Sequence, residues 1–64
     1  MLVALGNNMF ADVRKDGNRK WGALVTDGDY ALLTNKGGNP IWFKAPTKTQ
    51  VVEMATEAAW REYR

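Results

Sequence analysis

Apolar residues in the first two thirds of the chain come in short runs, and each run ends at a cluster of asparagine, aspartate and glycine. Gly6-Asn7-Asn8 separates Leu2–Leu5 from Met9–Lys15, and Asp16-Gly17-Asn18 separates that run from Lys20–Thr26. Asp27-Gly28-Asp29 precedes Tyr30–Thr34, and Asn35-Lys36-Gly37-Gly38-Asn39-Pro40 leads into Ile41–Ala45. These turn residues accept the left-handed backbone that hairpins require. Between them, short runs of alternating and β-branched residues predict strands. Connections this short leave no room for the crossover that parallel strands need, so the pattern predicts an antiparallel meander of four or five strands.

The pattern changes after Pro46, which blocks continuation of the last strand. Thr47 stands three residues before Gln50, the spacing of a capping box, and no glycine or proline follows from Lys48 to Arg64. At 100° per residue the apolar arc of this helix carries Val51, Val52, Met54, Ala55, Ala58, Ala59 and Tyr63. Its alanines allow close approach to a sheet. The opposite arc carries Gln50, Glu53, Glu57, Arg61 and Arg64, with Trp60 in its midst. The expected fold class is therefore α+β, a β-meander packed against one C-terminal α-helix.

Length and composition narrow this picture. Sixty-four residues hold one core, so residues 1–64 are read as a single domain. With 45% hydrophobic and 25% charged residues the chain has the makeup of a folded protein. It contains no cysteine and no histidine, which removes disulfide staples and the usual transition-metal ligands. A secreted domain of this size would need such staples, so a cytoplasmic location is expected. The apolar stretch Met1–Leu5 is too short for a membrane span or signal peptide.

Net charge is +2, unevenly spread. Over residues 1–48, Arg14, Lys15, Arg19, Lys20, Lys36, Lys44 and Lys48 outnumber Asp12, Asp16, Asp27 and Asp29, whereas over residues 49–64, Glu53, Glu57 and Glu62 outnumber Arg61 and Arg64. If Gly17-Asn18 is the hairpin loop, Lys15 opposes Lys20, Arg14 opposes Trp21, Asp12 opposes Ala23 and Phe10 opposes Val25. One sheet face then shows Phe10, Asp12, Arg14, Trp21, Ala23 and Val25, extended by Trp42 and Lys44. The other shows Met9, Ala11, Val13, Lys15, Lys20, Gly22, Leu24 and Thr26, suited to the alanine-rich helix.

Two surfaces could meet a partner. The first is the outer helix face, where Trp60 is rimmed by Glu53, Glu57, Arg61 and Arg64. An uncovered tryptophan there is a natural contact for a protein or a second copy, while folding back onto a nearby loop is the plainer alternative. The second is a nucleic-acid surface made of Arg14, Lys15, Arg19, Lys20, Trp21, Trp42 and Lys44, where cations meet phosphates and rings stack on bases. The plainer alternative is that these rings form the core.

Asp12-Val13-Arg14, Lys20-Trp21-Gly22-Ala23, Ile41-Trp42-Phe43 and a capped helix ending Ala58-Ala59-Trp60-Arg61-Glu62-Tyr63 resemble, over roughly residues 11–64, AP2-type DNA-binding domains. The arm-binding domains of phage integrases are similar in plan. That resemblance implies that Arg14, Trp21 and their sheet neighbours face DNA. The strand expected at Tyr30–Thr34 is an addition to the pattern, and Leu2–Leu5 has no counterpart in it.

Catalytic chemistry is poorly provided for. Asp27-Gly28-Asp29 has two carboxylates but no third nearby, and Lys36-Gly37-Gly38-Asn39 lacks the spacing of a P-loop. Both read as turns. The expectation is a small non-enzymatic binding module without cofactor, metal, membrane or small-molecule substrate. A protein-binding inhibitor or modulator of the kind encoded by phage or mobile elements comes first. DNA binding through the basic, aromatic sheet face and the Arg14–Lys20 hairpin is the alternative.

Overall fold

A computed structural model describes residues 1–62. Four strands, β1 (Leu2–Gly6), β2 (Met9–Gly17), β3 (Lys20–Thr26) and β4 (Trp42–Ala45), precede helix α1 (Lys48–Glu62). They form one sheet in the order β1-β2-β3-β4, with every neighbouring pair antiparallel. Gly6 pairs with Met9 across Asn7 and Asn8, whose φ angles of 56° and 61° are those of the primed turn that matches the strands' twist.

The second hairpin corrects the expected register. Its loop is Asn18-Arg19, because Gly17 pairs with Lys20 and the ladder is irregular between Lys15 and Gly17. Gly17 (φ 142°) and Arg19 (φ 55°) absorb the turn. Lys15 therefore opposes Trp21, Arg14 opposes Gly22, Val13 opposes Ala23, and Ala11 opposes Val25. On β3 the two faces are exchanged relative to expectation. Ala11 and Val13 share the helix side with Trp21, Ala23 and Val25, while Phe10, Asp12 and Arg14 share the open side with Gly22, Leu24 and Thr26.

No fifth strand forms at Tyr30–Thr34. Single bridges, Thr26 to Ala31 and Thr34 to Pro40, are all the pairing the connection has. Leu32 and Leu33, consecutive in sequence, both pack against the core, which the alternation of a strand forbids. Side chains shape the path instead. Thr26 Oγ1 accepts from Gly28 N (3.1 Å) and donates to the Tyr30 carbonyl (2.8 Å). Asn35 Oδ1 accepts from Gly37 N (2.9 Å) and Asn39 N (3.1 Å).

Asp27 Oδ1 accepts from Asp29 N (2.9 Å) and Tyr30 N (2.8 Å). These amides, Tyr30's foremost, hold its carboxyl below the usual carboxylate range. A depressed folded-state pKa contributes stability that is present above the unfolded value and lost as pH falls through the folded one. Asp27→Asn should therefore be less stable than the parent at neutral pH, with the gap closing on acidification. Urea midpoints measured along a pH series check this, and a gap independent of pH would refute it.

Thr47 caps α1 by accepting from Gln50 N (3.2 Å). The reciprocal arm differs from a full capping box, since Gln50 Oε1 accepts from the Thr47 hydroxyl (3.3 Å). Val51, Ala55 and Ala59 are the buried helix residues. Met54, expected on the apolar arc, is 41% exposed, and Tyr63 lies outside the described residues. The core consists of Leu5, Met9, Ala11, Val13, Ala23, Val25, Val51, Ala55 and Ala59. Its largest fully buried side chains are valines. Small residues facing one another bring helix and sheet close, and the tryptophans are left at the margins.

Candidate functional site: the uncovered sheet face

Helix α1 covers one side of the sheet, mainly across β2, β3 and β4. Among the described residues no helix covers the other side, which is open except at Thr26, where the turn to Tyr30 folds against it. Toward the hairpin end of that side Gly22 lies between Arg14 on β2 and Lys44 on β4. With no side chain at Gly22, the indole of Trp42 settles over the backbone, where a Cβ would stand 3.5 Å from Trp42 Cε3. The Arg14 guanidinium carbon lies 5.6 Å from the Trp42 ring centroid, within cation–π range. Arg14, Asp16, Gly22, Trp42 and Lys44 line a shallow depression of about 250 Å³.

Both cations of this site are held loosely. Arg14 pairs with Asp12 at 3.4 Å and Lys44 with Asp16 at 3.5 Å, with both cationic side chains well exposed. Exposed pairs contribute about 0.2–1 kcal/mol, so an incoming anion can displace the carboxylates at little cost.

The structure brings together Arg14, Trp42 and Lys44 but not Trp21. The register sends Trp21 to the helix side, where it is half-buried and Lys15 Nζ lies 5.9 Å from its ring. Lys15, Arg19 and Lys20 surround the hairpin end and are exposed. That end thus carries a cation–tryptophan pair on each face. Sequence reasoning missed Gly22 as the seat of Trp42, and also the counterions Asp12 and Asp16. The signal was present in the Ala11/Val13 and Ala23/Val25 pairs, which only the observed register places on one buried face.

On the helix, Glu53, Glu57 and Arg61 are exposed, and Arg61 pairs with Glu57 at 2.6 Å. Arg64 lies outside the described residues. Trp60 reaches back to the sheet, where its Nε1–H donates to the Leu5 carbonyl (3.1 Å) and its ring packs against Gly6, yet it remains 41% exposed.

Chemistry elsewhere is accounted for by structure. The Asp27 carboxylate serves its own turn, and the amides of Gly37, Gly38 and Asn39 all bond to Asn35 rather than facing outward as an anion cradle. Among the described residues no cluster of carboxylates could hold a metal ion, and no helix is long and apolar enough to cross a membrane. No protein-family model matches the chain, and no curated protein or solved structure is significantly similar to it, so the resemblance to AP2-type and integrase arm-binding domains assigns it to neither.

Proposed function

We propose that the protein is a non-enzymatic binding module that takes nucleic acid on the uncovered sheet face and the hairpin end. The observation that carries this reading is Trp42 laid over Gly22 with Arg14 against its ring and Lys44 beside it. Cations there can neutralise phosphates while the indole meets a sugar or base. Arg14, Lys15, Arg19, Lys20 and Lys44 outnumber Asp12 and Asp16 around the site, which favours a polyanion. Nothing in the set supplies a general base or nucleophile held against a second reactive group.

The test is fluorescence anisotropy with labelled single- and double-stranded DNA and RNA at low and moderate salt. Micromolar, salt-sensitive binding is expected, about tenfold weaker in Trp42→Ala, corresponding to one stacking contact. Lys44→Ala should lower the salt slope by about one unit. Absence of binding at low salt, or equal affinity in both variants with the fold intact by circular dichroism, would falsify the assignment.

A second reading keeps a protein partner on the outer helix face, favoured by the exposure of Met54 and Trp60, each 41%, beside Glu53, Glu57 and Arg61. The sheet face is preferred because part of Trp60 is already committed to Leu5 and Gly6.

A further inference from the structure

The sheet has two edges, and they are built differently. Strand β4 is four residues long, carries Lys44 and lies between Pro40 and Pro46. Short length, lysine and proline all discourage pairing with another chain. Strand β1, with the sequence LVALG, is only one residue longer but carries neither lysine nor proline, and its irregularity, between Ala4 and Gly6, lies at its far end.

Its free groups can be located. Met1 and Val13 exchange two backbone hydrogen bonds, Val13 N to the Met1 carbonyl (2.8 Å) and Met1 N to the Val13 carbonyl (3.1 Å). Hydrogen-bonded and non-hydrogen-bonded pairs alternate along an antiparallel ladder. Val3 and Ala11 therefore form the next bonded pair, whereas Leu2, opposite Asp12, and Ala4, opposite Phe10, turn their N–H and C=O groups away from β2. Among the described residues no strand covers that edge.

We infer that this edge is the seat of a second copy of the chain, joined through antiparallel β1–β1 pairing about a two-fold axis at Val3. That axis sets Leu2 opposite Ala4 of the partner subunit and Ala4 opposite Leu2 of the partner subunit. The outward groups meet as two bonded pairs, which is four backbone hydrogen bonds. Leu2–Gly6 carry no charged side chain and the Met1 ammonium beside them is paired with Asp12 (3.8 Å), so two copies meet with little like-charge repulsion, which favours a second copy over a charged partner strand.

The exposed apolar residues agree with this occupant. Met1 (59%), Leu2 (56%) and Trp60 (41%) are three of the six exposed large hydrophobic residues among those described, and all lie along β1. Leu2 is on the open side of the sheet, whereas Trp60 packs on Gly6 from the helix. The helix contacts β1 least of all the strands, so a second sheet can continue the first without the helices colliding. The result is a continuous eight-stranded sheet with both Trp42 faces on one side. This inference stands independently of the nucleic-acid reading.

Sedimentation velocity of the full chain from low to high micromolar concentration tests it. The parent should sediment as a dimer. Ala4→Pro removes an N–H that the chain itself does not use, and proline is tolerated at such edge positions. It should weaken dimerisation by at least about tenfold while circular dichroism is unchanged. The double variant Leu2→Lys with Ala4→Lys sets lysines opposite one another across the axis, should do the same, and decides the matter if the proline variant unfolds. A parent that stays monomeric throughout, or a dimer that persists in the folded variants, overturns the proposal.

Discussion

Replacing Ala55 by leucine is expected to destabilise the domain by about 3 kcal/mol, the upper end of the usual cost of overpacking a tight core. Ala55 is fully buried at the centre of α1, as are Ala11 and Ala23 on the sheet beneath and Ala59 one turn on. The helix sits as close as methyl groups allow, and the largest fully buried neighbours are Val25 and Val51. Isobutyl groups cannot enter without lifting the helix, which would separate Val51 and Ala59 from the sheet as well. A domain of this size has about 3–5 kcal/mol to lose, so the variant should be near its unfolding midpoint in water. Urea denaturation followed by circular dichroism measures the change. Met54→Leu, on the exposed side of the same helix, serves as the neutral control. A parental midpoint for Ala55→Leu would show that the interface has slack.

Gly6→Ala should cost about 2 kcal/mol, for two separable reasons. At φ 91° a side chain is strained by about 1–2 kcal/mol. The new Cβ would also stand 3.1 Å from Trp60 Cζ2, tight enough to push the indole away from the Leu5 carbonyl it donates to. Gly28→Ala separates the two effects, because Gly28 has φ 108° but a Cβ added there would meet nothing within 4 Å. The difference between the two variants in urea midpoint reports the Trp60 contact alone. Tryptophan emission should shift to longer wavelength only in Gly6→Ala. If both variants lose the same stability, the Trp60–Gly6 contact contributes nothing.

Turn chemistry carries most of the architecture. The asparagine and glycine clusters mark both hairpins, and Pro46-Thr47 with the glycine-free run behind it marks the helix. What escapes is register. Asp16-Gly17-Asn18-Arg19 offers two overlapping loops of equal length, and an arginine at φ 55° is a position that residue preferences do not suggest. That one-residue choice moves Trp21 to the helix side and brings Gly22 beneath Trp42. The β2 half of each face is legible because Ala11 and Val13 alternate cleanly with Asp12 and Arg14. On β3 apolar residues occupy both alternations, so periodicity alone cannot decide. The run Tyr30–Thr34 misleads for a related reason. Two adjacent leucines satisfy a count of apolar residues as well as a strand does, and only the Thr26, Asp27 and Asn35 turns reveal a looped path.

For the candidate surfaces, residue types are legible and their grouping is not. Arg14, Trp42 and Lys44 do share one face, but their seat is a glycine, and a missing side chain leaves no chemical signature to read. A helical wheel places Trp60 among polar residues, and it has no knowledge of the turn at Leu5–Gly6 that the indole reaches.

The strand order has a consequence for how the chain comes together during synthesis. Every strand is bonded to the one before it in sequence. The loops Asn7-Asn8 and Asn18-Arg19 are short, and the connection over residues 27–41 before β4 is the one long loop the sheet must close. Only α1 spans the whole, resting on the sheet and joining its own last turn to the first strand through Trp60 and Leu5. The last of the described elements is thus tied to the first. That tie makes the domain one cooperative unit, so that loosening the helix also loosens the edge strand at the opposite end of the sequence.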